Sequence, residues 1–304
     1  MRIVFMGTPD YATKILKKLF EMPDMDVAAV FTQPDKPVGR KKILTPPDVK
    51  KFLLQAHPGM KIYQPHSLKG DNSEEILKDI SPDFIVVAAY GQILPKNILD
   101  IAPCINLHAS LLPKYRGASP IQQALLNSDE ITGVTAMLMD EGLDTGDILA
   151  YRYEKIGEED NALTLFEKLS ECAAELTPTV LRNFDEIKPL SQNDVDASYC
   201  KKINKSDGLV SFDSALDIYN RYRAFISWPG IYTNSGLKLK KIRLVETESQ
   251  NRPGVILDIS DNEAVIGCKK GTISVITVQP PSKKEMDIAS FIRGRRLKVG
   301  DCLV

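Results

Sequence analysis

A chain of 304 residues, 43% hydrophobic and 26% charged, can bury a large core and is expected to divide into two domains. No apolar run approaches the roughly 20 residues of a membrane-spanning helix, so a helical membrane protein is excluded; with no visible address segment, the cytoplasm is expected. The net charge of -1 hides an asymmetry: residues 1–204 carry 23 Lys and Arg against 29 Asp and Glu, net -6, whereas residues 205–304 carry 16 against 11, net +5. A basic smaller half suits a polyanionic partner, although +5 on a hundred residues is also ordinary surface.

In chain order, residues 2–6 (RIVFM) read as a strand closed by Gly7-Thr8-Pro9-Asp10, after which Ala12, Ile15, Leu16, Leu19 and Phe20 recur at helical spacing. Further strands are expected at 27–32, 84–88 and 104–107, with helical patterns at 48–56 and 74–79 between them. Continuous apolar strands alternating with helices predict an α/β domain, a Rossmann-like parallel sheet covered on both faces. Strands at 132–139 and 148–153 and a long amphipathic helix at 163–181 complete a first domain over 1–185. Residues 186–206 lose periodicity and mix Lys, Asp, Asn, Ser and Pro, which predicts a linker. From 207 to 304 a helix at 215–225 precedes short strands at 231–233, 237–245, 254–259, 264–268 and 272–278, the pattern of a small β-barrel.

The five cysteines (Cys104, Cys172, Cys200, Cys268, Cys302) are odd in number, widely spaced and free of C-x-x-C pairs, so reduced thiols and no structural metal are expected. Of three histidines, His57 precedes Pro58-Gly59 at a helix end and His66 lies in a loop, both ordinary surface positions. His108 differs. In Cys104-Ile105-Asn106-Leu107-His108 strand alternation points Asn106 and His108 to one face while Ile105 and Leu107 pack on the other. A satisfied polar pair at a strand end is the alternative reading. The segment 139–147 places four carboxylates, Asp140, Glu141, Asp144 and Asp147, on a loop with Gly142 and Gly146. A calcium loop fails on register, because the acids do not alternate as an EF-hand requires. Asp144 could then reach a neighbouring strand's imidazole and fix its orientation. Neither a dinucleotide fingerprint nor a phosphate loop nor a nucleophile elbow is present. An amide, an imidazole and a carboxylate with no evident nucleophile suit direct acyl transfer to an amine, the amide donating to the developing oxyanion and the imidazole moving the proton.

Ile105-Asn106-Leu107-His108-Ala109-Ser110-Leu111-Leu112-Pro113, then Arg116-Gly117-Ala118-Ser119-Pro120-Ile121, then Gly142-Leu143-Asp144-Thr145-Gly146-Asp147 resemble, in order and spacing, the folate-dependent formyltransferase signature. The resemblance implies 10-formyltetrahydrofolate as donor and Asn106, His108 and Asp144 as catalytic residues. It implies folate contacts from Ser110, Leu111, Leu112 and Pro113, and a pterin pocket lined by backbone at 87–92 and 138–144. Within the family the whole chain is similar to the members that formylate methionyl initiator tRNA for translation initiation. The opening 2–10 and the segment Gln33-Pro34-Asp35-Lys36-Pro37-Val38-Gly39-Arg40-Lys41-Lys42 carry that likeness, the latter slightly shorter than the basic insertion such members lay on the acceptor stem. The C-terminal barrel would be of OB type.

Arg40, Lys41 and Lys42 stand together on a segment stiffened by Pro34, Pro37, Pro46 and Pro47, and Arg293, Arg295 and Arg296 with Lys298, Lys283 and Lys284 form a second basic group; both are expected to contact tRNA phosphates. Trp228 and Tyr232 read as core or turn residues rather than stacking platforms. A monomer without membrane contact is expected and, with the first strand beginning at Arg2, so is the lack of a transit peptide. The alternatives are a related folate-dependent formyltransferase or formyltetrahydrofolate hydrolase acting on a small substrate, or an RNA-binding protein whose catalytic site is inactive.

Overall fold

β1 (Arg2–Gly7) is apolar and buried along nearly its whole length because both its edges are paired and both its faces are covered. The computed structural model describes residues 1–39 and 41–304. β1 leads into α1 (Asp10–Phe20), which buries Tyr11, Ala12, Ile15, Leu16 and Leu19 on one stripe and places Lys17 and Lys18 in its last turn, where they complement the helix dipole. β2 (Asp26–Phe31) follows, then a short hairpin of β3 (Lys36–Val38) and β4 (Ile43–Thr45), α2 (Asp48–Ala56), β5 (Ile62–Tyr63), α3 (Ser73–Ile80), β6 (Phe84–Ala88), α4 (Lys96–Leu99) and β7 (Cys104–His108). After β8 (Arg116–Gly117) and α5 (Pro120–Leu126) come β9 (Ile131–Leu138), β10 (Ile148–Lys155), α6 (Ala162–Arg182) and β11 (Tyr199–Cys200).

Seven of these strands form one sheet in the order β10-β9-β7-β6-β1-β2-β5. The five from β5 to β7 run parallel, while β9 and β10 are antiparallel to their neighbours, so the expected parallel sheet carries an antiparallel margin. β7 lies between β6 and β9; Asn106 is in register with Val87 on one side and Met137 on the other. The Tyr11 hydroxyl donates to the Leu107 carbonyl at 3.1 Å, fastening α1 to β7, and burial pushes this phenol's pKa well up, so that it remains a donor.

The second unit contains α7 (Ala215–Ala224), β12 (Ile231–Tyr232), β13 (Lys238–Glu246), β14 (Ile256–Ile259), β15 (Ala264–Gly267), β16 (Thr272–Gln279), β17 (Met286–Asp287) and α8 (Ile288–Arg295). Its strands make a six-stranded antiparallel sheet, β12-β13-β16-β15-β14 with β17 on β16. Ile256, Ala264, Ile266, Ile273 and Val275 fill its core. The unit also includes Ile121–Asp129 and Gly157–Thr164. α7 explains both additions: Asn220 donates to the Ser128 hydroxyl at 2.6 Å, and Arg223 donates to the carbonyls of Gly157 at 3.0 Å and Asp160 at 2.5 Å.

Two local expectations differ from the structure. The aperiodic segment expected to be a linker lies along the first unit up to Lys201. Its polar backbone finds partners there: Leu190 exchanges hydrogen bonds with Ile148 at 2.8 and 2.9 Å, and β11 pairs in parallel with β8. The proline-rich segment around Gly39 is a hairpin, because Val38 and Ile43 are in register across a turn in which Gly39 has φ +71°. Val38, Ile43 and Leu44 are more than half exposed on it.

Candidate functional site

The site is built on the end of β7. Strand alternation holds: Ile105 and Leu107 are buried, and Asn106 and His108 meet the same carboxylate. Asn106 Nδ2 donates to Asp144 Oδ1 at 3.4 Å, and His108 Nδ1 lies 3.7 Å from Asp144 Oδ2, longer than a hydrogen bond. His108 is only 7% exposed, so this approach is shielded from bulk water. Its other nitrogen, Nε2, stands 2.9 Å from the Tyr115 carbonyl oxygen. Since a carbonyl only accepts, Nε2 carries the hydrogen in the neutral ring and the Nδ1 lone pair faces Asp144.

Asp144 is delivered by the loop between β9 and β10. It adopts φ +54°, a left-handed conformation an aspartate tolerates better than most residues. The loop braces itself: Asp140 accepts from the Gly142 amide at 2.9 Å and from the Thr145 hydroxyl at 2.7 Å, while Leu138 N donates to Asp147 O at 2.8 Å across its base. Gly146 is demanded there, because a Cβ would fall 1.7 Å from the Leu138 carbonyl oxygen. Asp144 Oδ2 also accepts from the Gly117 amide at 2.8 Å, so both its oxygens are engaged. Gly117, at φ +117°, sits where a Cβ would meet Cys200 O at 2.4 Å, and its backbone is pressed between the carboxylate and β11.

The four residues expected to contact folate divide in two. Ser110 and Leu112 are buried and engaged inside the fold: Ser110 donates to Lys114 O at 2.6 Å, and Leu112 receives the Tyr151 hydroxyl at 2.6 Å while packing with Met137 and Ile148. Leu111 and Pro113 are half-buried and offer apolar surface. Lys41 and Lys42 are exposed in the turn of the β3–β4 hairpin, and Arg40 lies outside the described residues. Arg293 and Arg295 are exposed on α8 and Arg296 caps its end at φ +56°. His57 ends α2 and stacks on Phe20 with ring centroids 3.9 Å apart, and His66 is exposed; neither joins the site. All five cysteines are free, and burial pushes the Cys104 and Cys268 thiols up to about 12. Among the described residues no group of three or more His, Cys, Asp or Glu is placed to hold a metal ion. No helix among them is long and apolar enough to cross a membrane.

Sequence reasoning missed two residues at the site. Arg116 is 1% exposed although it carries a full charge, and Gln192 reaches the Asp144 loop from the segment expected to be a linker. Arg116 stands inside a recognisable motif but without a partner in view; Gln192 stands in an aperiodic stretch that offers no signal.

The formyl transferase domain matches residues 1–181, and the formyl transferase C-terminal domain matches residues 202–296. The chain belongs to the formyl transferase family. It is therefore an enzyme that transfers a formyl group. This formyl transferase is 64% identical to the methionyl-tRNA formyltransferase of a Nitratiruptor species, with 99% of each chain covered. It is 57% identical to that of Sulfurimonas denitrificans, with 100% of each covered. Among solved structures, the N-formyltransferase of Helicobacter canadensis, in complex with folinic acid and dTDP-3-aminofucose, superposes with a TM-score of 0.69 at 19% identity, over 91% of this chain and 99% of that one. That likeness establishes the shared formyl transferase fold.

Proposed function

We propose that this formyl transferase moves the formyl group of 10-formyltetrahydrofolate to the α-amino group of methionyl initiator tRNA, with Asn106, His108 and Asp144 as catalytic residues. The observation that carries the reading is the convergence of an amide, a shielded imidazole and a doubly held carboxylate at one strand end, in a chain similar over its full length to methionyl-tRNA formyltransferases. That set contains no hydroxyl, thiol or amine nucleophile, which suits attack by the incoming amine.

The bound donor supplies the electrophilic formyl carbon. Asn106 keeps one amide hydrogen after its contact with Asp144 and donates it to the formyl oxygen as negative charge collects there. His108 takes the proton of the attacking amine on Nδ1, since the Tyr115 carbonyl already holds the Nε2 hydrogen. Asp144 then sits as the counter-charge beside the protonated ring. The carbon's bond to the new amine forms, its bond to the donor nitrogen breaks, and His108 returns the proton to that leaving nitrogen. Leu111 and Pro113 offer apolar surface to the folate, while Ser110 and Leu112 hold that stretch in shape.

For the acceptor, the exposed Lys41 and Lys42 on the hairpin and Arg293, Arg295 and Arg296 at the end of α8 are assigned to tRNA phosphates; Arg40 shares that assignment from its place in the basic run. The test separates binding from chemistry. The double variant Lys41→Ala, Lys42→Ala is expected to raise KM for methionyl-tRNA and flatten its dependence on salt, with kcat kept. An unchanged KM and salt slope would remove the hairpin from the tRNA site.

A further inference from the structure

The segment joining the two sequence-matched domains carries a residue that reaches the catalytic loop. Gln192 Nε2 donates to two carbonyls of that loop, Asp144 O at 2.9 Å and Gly146 O at 2.7 Å. Its Oε1 accepts from Arg116 Nε at 3.0 Å. Both amide hydrogens and the amide oxygen are therefore in use, and no other type of neutral side chain of this length could make all three contacts. Arg116 is itself fixed, its Nη1 donating to Asp194 Oδ1 at 2.9 Å and to the Tyr199 hydroxyl at 3.2 Å. Asp194 and Tyr199 belong to the same joining segment as Gln192.

These contacts close a ring around Asp144. The next residue after Arg116, Gly117, gives its amide to the Asp144 carboxylate, while the Arg116 side chain orients Gln192, which holds the Asp144 carbonyl. Asp144 is thus gripped at its side chain and at its backbone by groups that are themselves linked. Its backbone gains from the grip: φ is +54°, in the left-handed region, which an aspartate adopts more readily than most residues but holds as a single conformation only where its surroundings fix it. Relaxation of that backbone would swing the carboxylate away from Asn106 and His108.

We propose that Gln192, oriented by Arg116, is a positioning residue for formyl transfer, acting through Asp144 alone, and that the joining segment is in this sense part of the catalytic site. The inference rests on the catalytic reading of Asp144 given above. A 1 Å displacement of a reacting or charge-bearing group can cost as much as about 10²-fold in rate. Gln192→Ala is therefore expected to lower kcat about 10–100-fold while KM for donor and acceptor stays within about twofold. Gln192→Glu keeps the length and adds an ion pair to Arg116, so the fold is preserved, but it turns a carboxylate oxygen towards two carbonyls; its kcat is expected to fall as far as that of the alanine variant.

The deciding measurement is a double-mutant cycle read in kcat. In an Asp144→Asn background, adding Gln192→Ala is expected to cost nothing further, because a residue that acts only through the Asp144 carboxylate has nothing left to position. Full additivity, a rise in KM with kcat intact, or unchanged kcat in both Gln192 variants would each overturn the proposal. The reading of Asp144 fails separately: it is lost if Asp144→Asn alone leaves kcat unchanged.

Discussion

Asn106→Ala is expected to lower kcat for formyl transfer about 10²–10³-fold, the loss typical of removing one oxyanion donor, about 2.7–4 kcal/mol in the barrier. His108→Ala should fall to a comparable level, since proton transfer by a positioned imidazole contributes about 10²–10⁴-fold. Both losses should appear in kcat with tRNA affinity kept, because neither side chain belongs to the exposed basic groups assigned to phosphate. Pre-steady-state formylation at saturating donor and acceptor measures this. An Asn106→Ala enzyme with full kcat would mean that another donor meets the oxyanion. The effect is expected to be local: Asn106 is half-buried and its amide donates to Asp144, which keeps the Gly117 amide.

Gly146→Ala is expected to have the other large effect, through the loop and not through any contact with substrate. The added Cβ would lie 1.7 Å from a backbone oxygen, that of Leu138, and 2.9 Å from its carbon. Backbone cannot rotate aside as a side chain can, so the base of the loop, closed by Leu138 N to Asp147 O, must open. Asp144 leaves its place, and kcat should fall by about 10²-fold with a drop in Tm of about 2–10 °C. Gly142→Ala supplies the control. Its Cβ would chiefly meet the Thr145 hydroxyl, which can turn away at the expense of its bond to Asp140, so a milder loss is expected. Equal activity of the Gly146 variant and the wild type would show that Asp144 does not depend on this turn.

The sequence and the structure agree most closely where burial leaves a pattern longer than a few residues. β1 and β6 are continuous apolar runs, β7 alternates apolar with polar residues, and α1, α2 and α6 repeat their apolar residues at helical spacing, so each is legible to within a residue or two. The two-residue strands β5, β8, β11 and β17 are not, since two residues carry no period, although the equally short β12 falls inside the run expected at 231–233. α8 is hidden in the sequence because its basic residues and Gly294 mask Ile288, Phe291 and Ile292, which form its buried stripe behind the Asp287 cap. The hairpin of β3 and β4 reads as a stiff loop, its prolines outweighing the pairing of Val38 with Ile43.

At the site, alternation along one strand is enough to bring Asn106 and His108 to one face, and the two glycines around Asp144 mark a tight loop. What no local pattern can carry is the grip on that loop. Gln192 is 48 residues from Asp144, and its three contacts are with residues distant in the chain, Arg116 and the Asp144 loop. Ser110 shows the opposite limit: a polar residue in a recognisable stretch is turned inward, its hydroxyl given to Lys114 O.

Formyl transfer to the tRNA-borne amine is tested most directly by incubating the protein with 10-formyltetrahydrofolate and either methionyl initiator tRNA or free methionine, and following formyl on the amine together with turnover of the folate. Formyl-methionine on the charged tRNA, with none formed from free methionine and no folate consumed without acceptor, is the expected result. Folate turnover that proceeds without tRNA, or tight tRNA binding without any turnover, would contradict it.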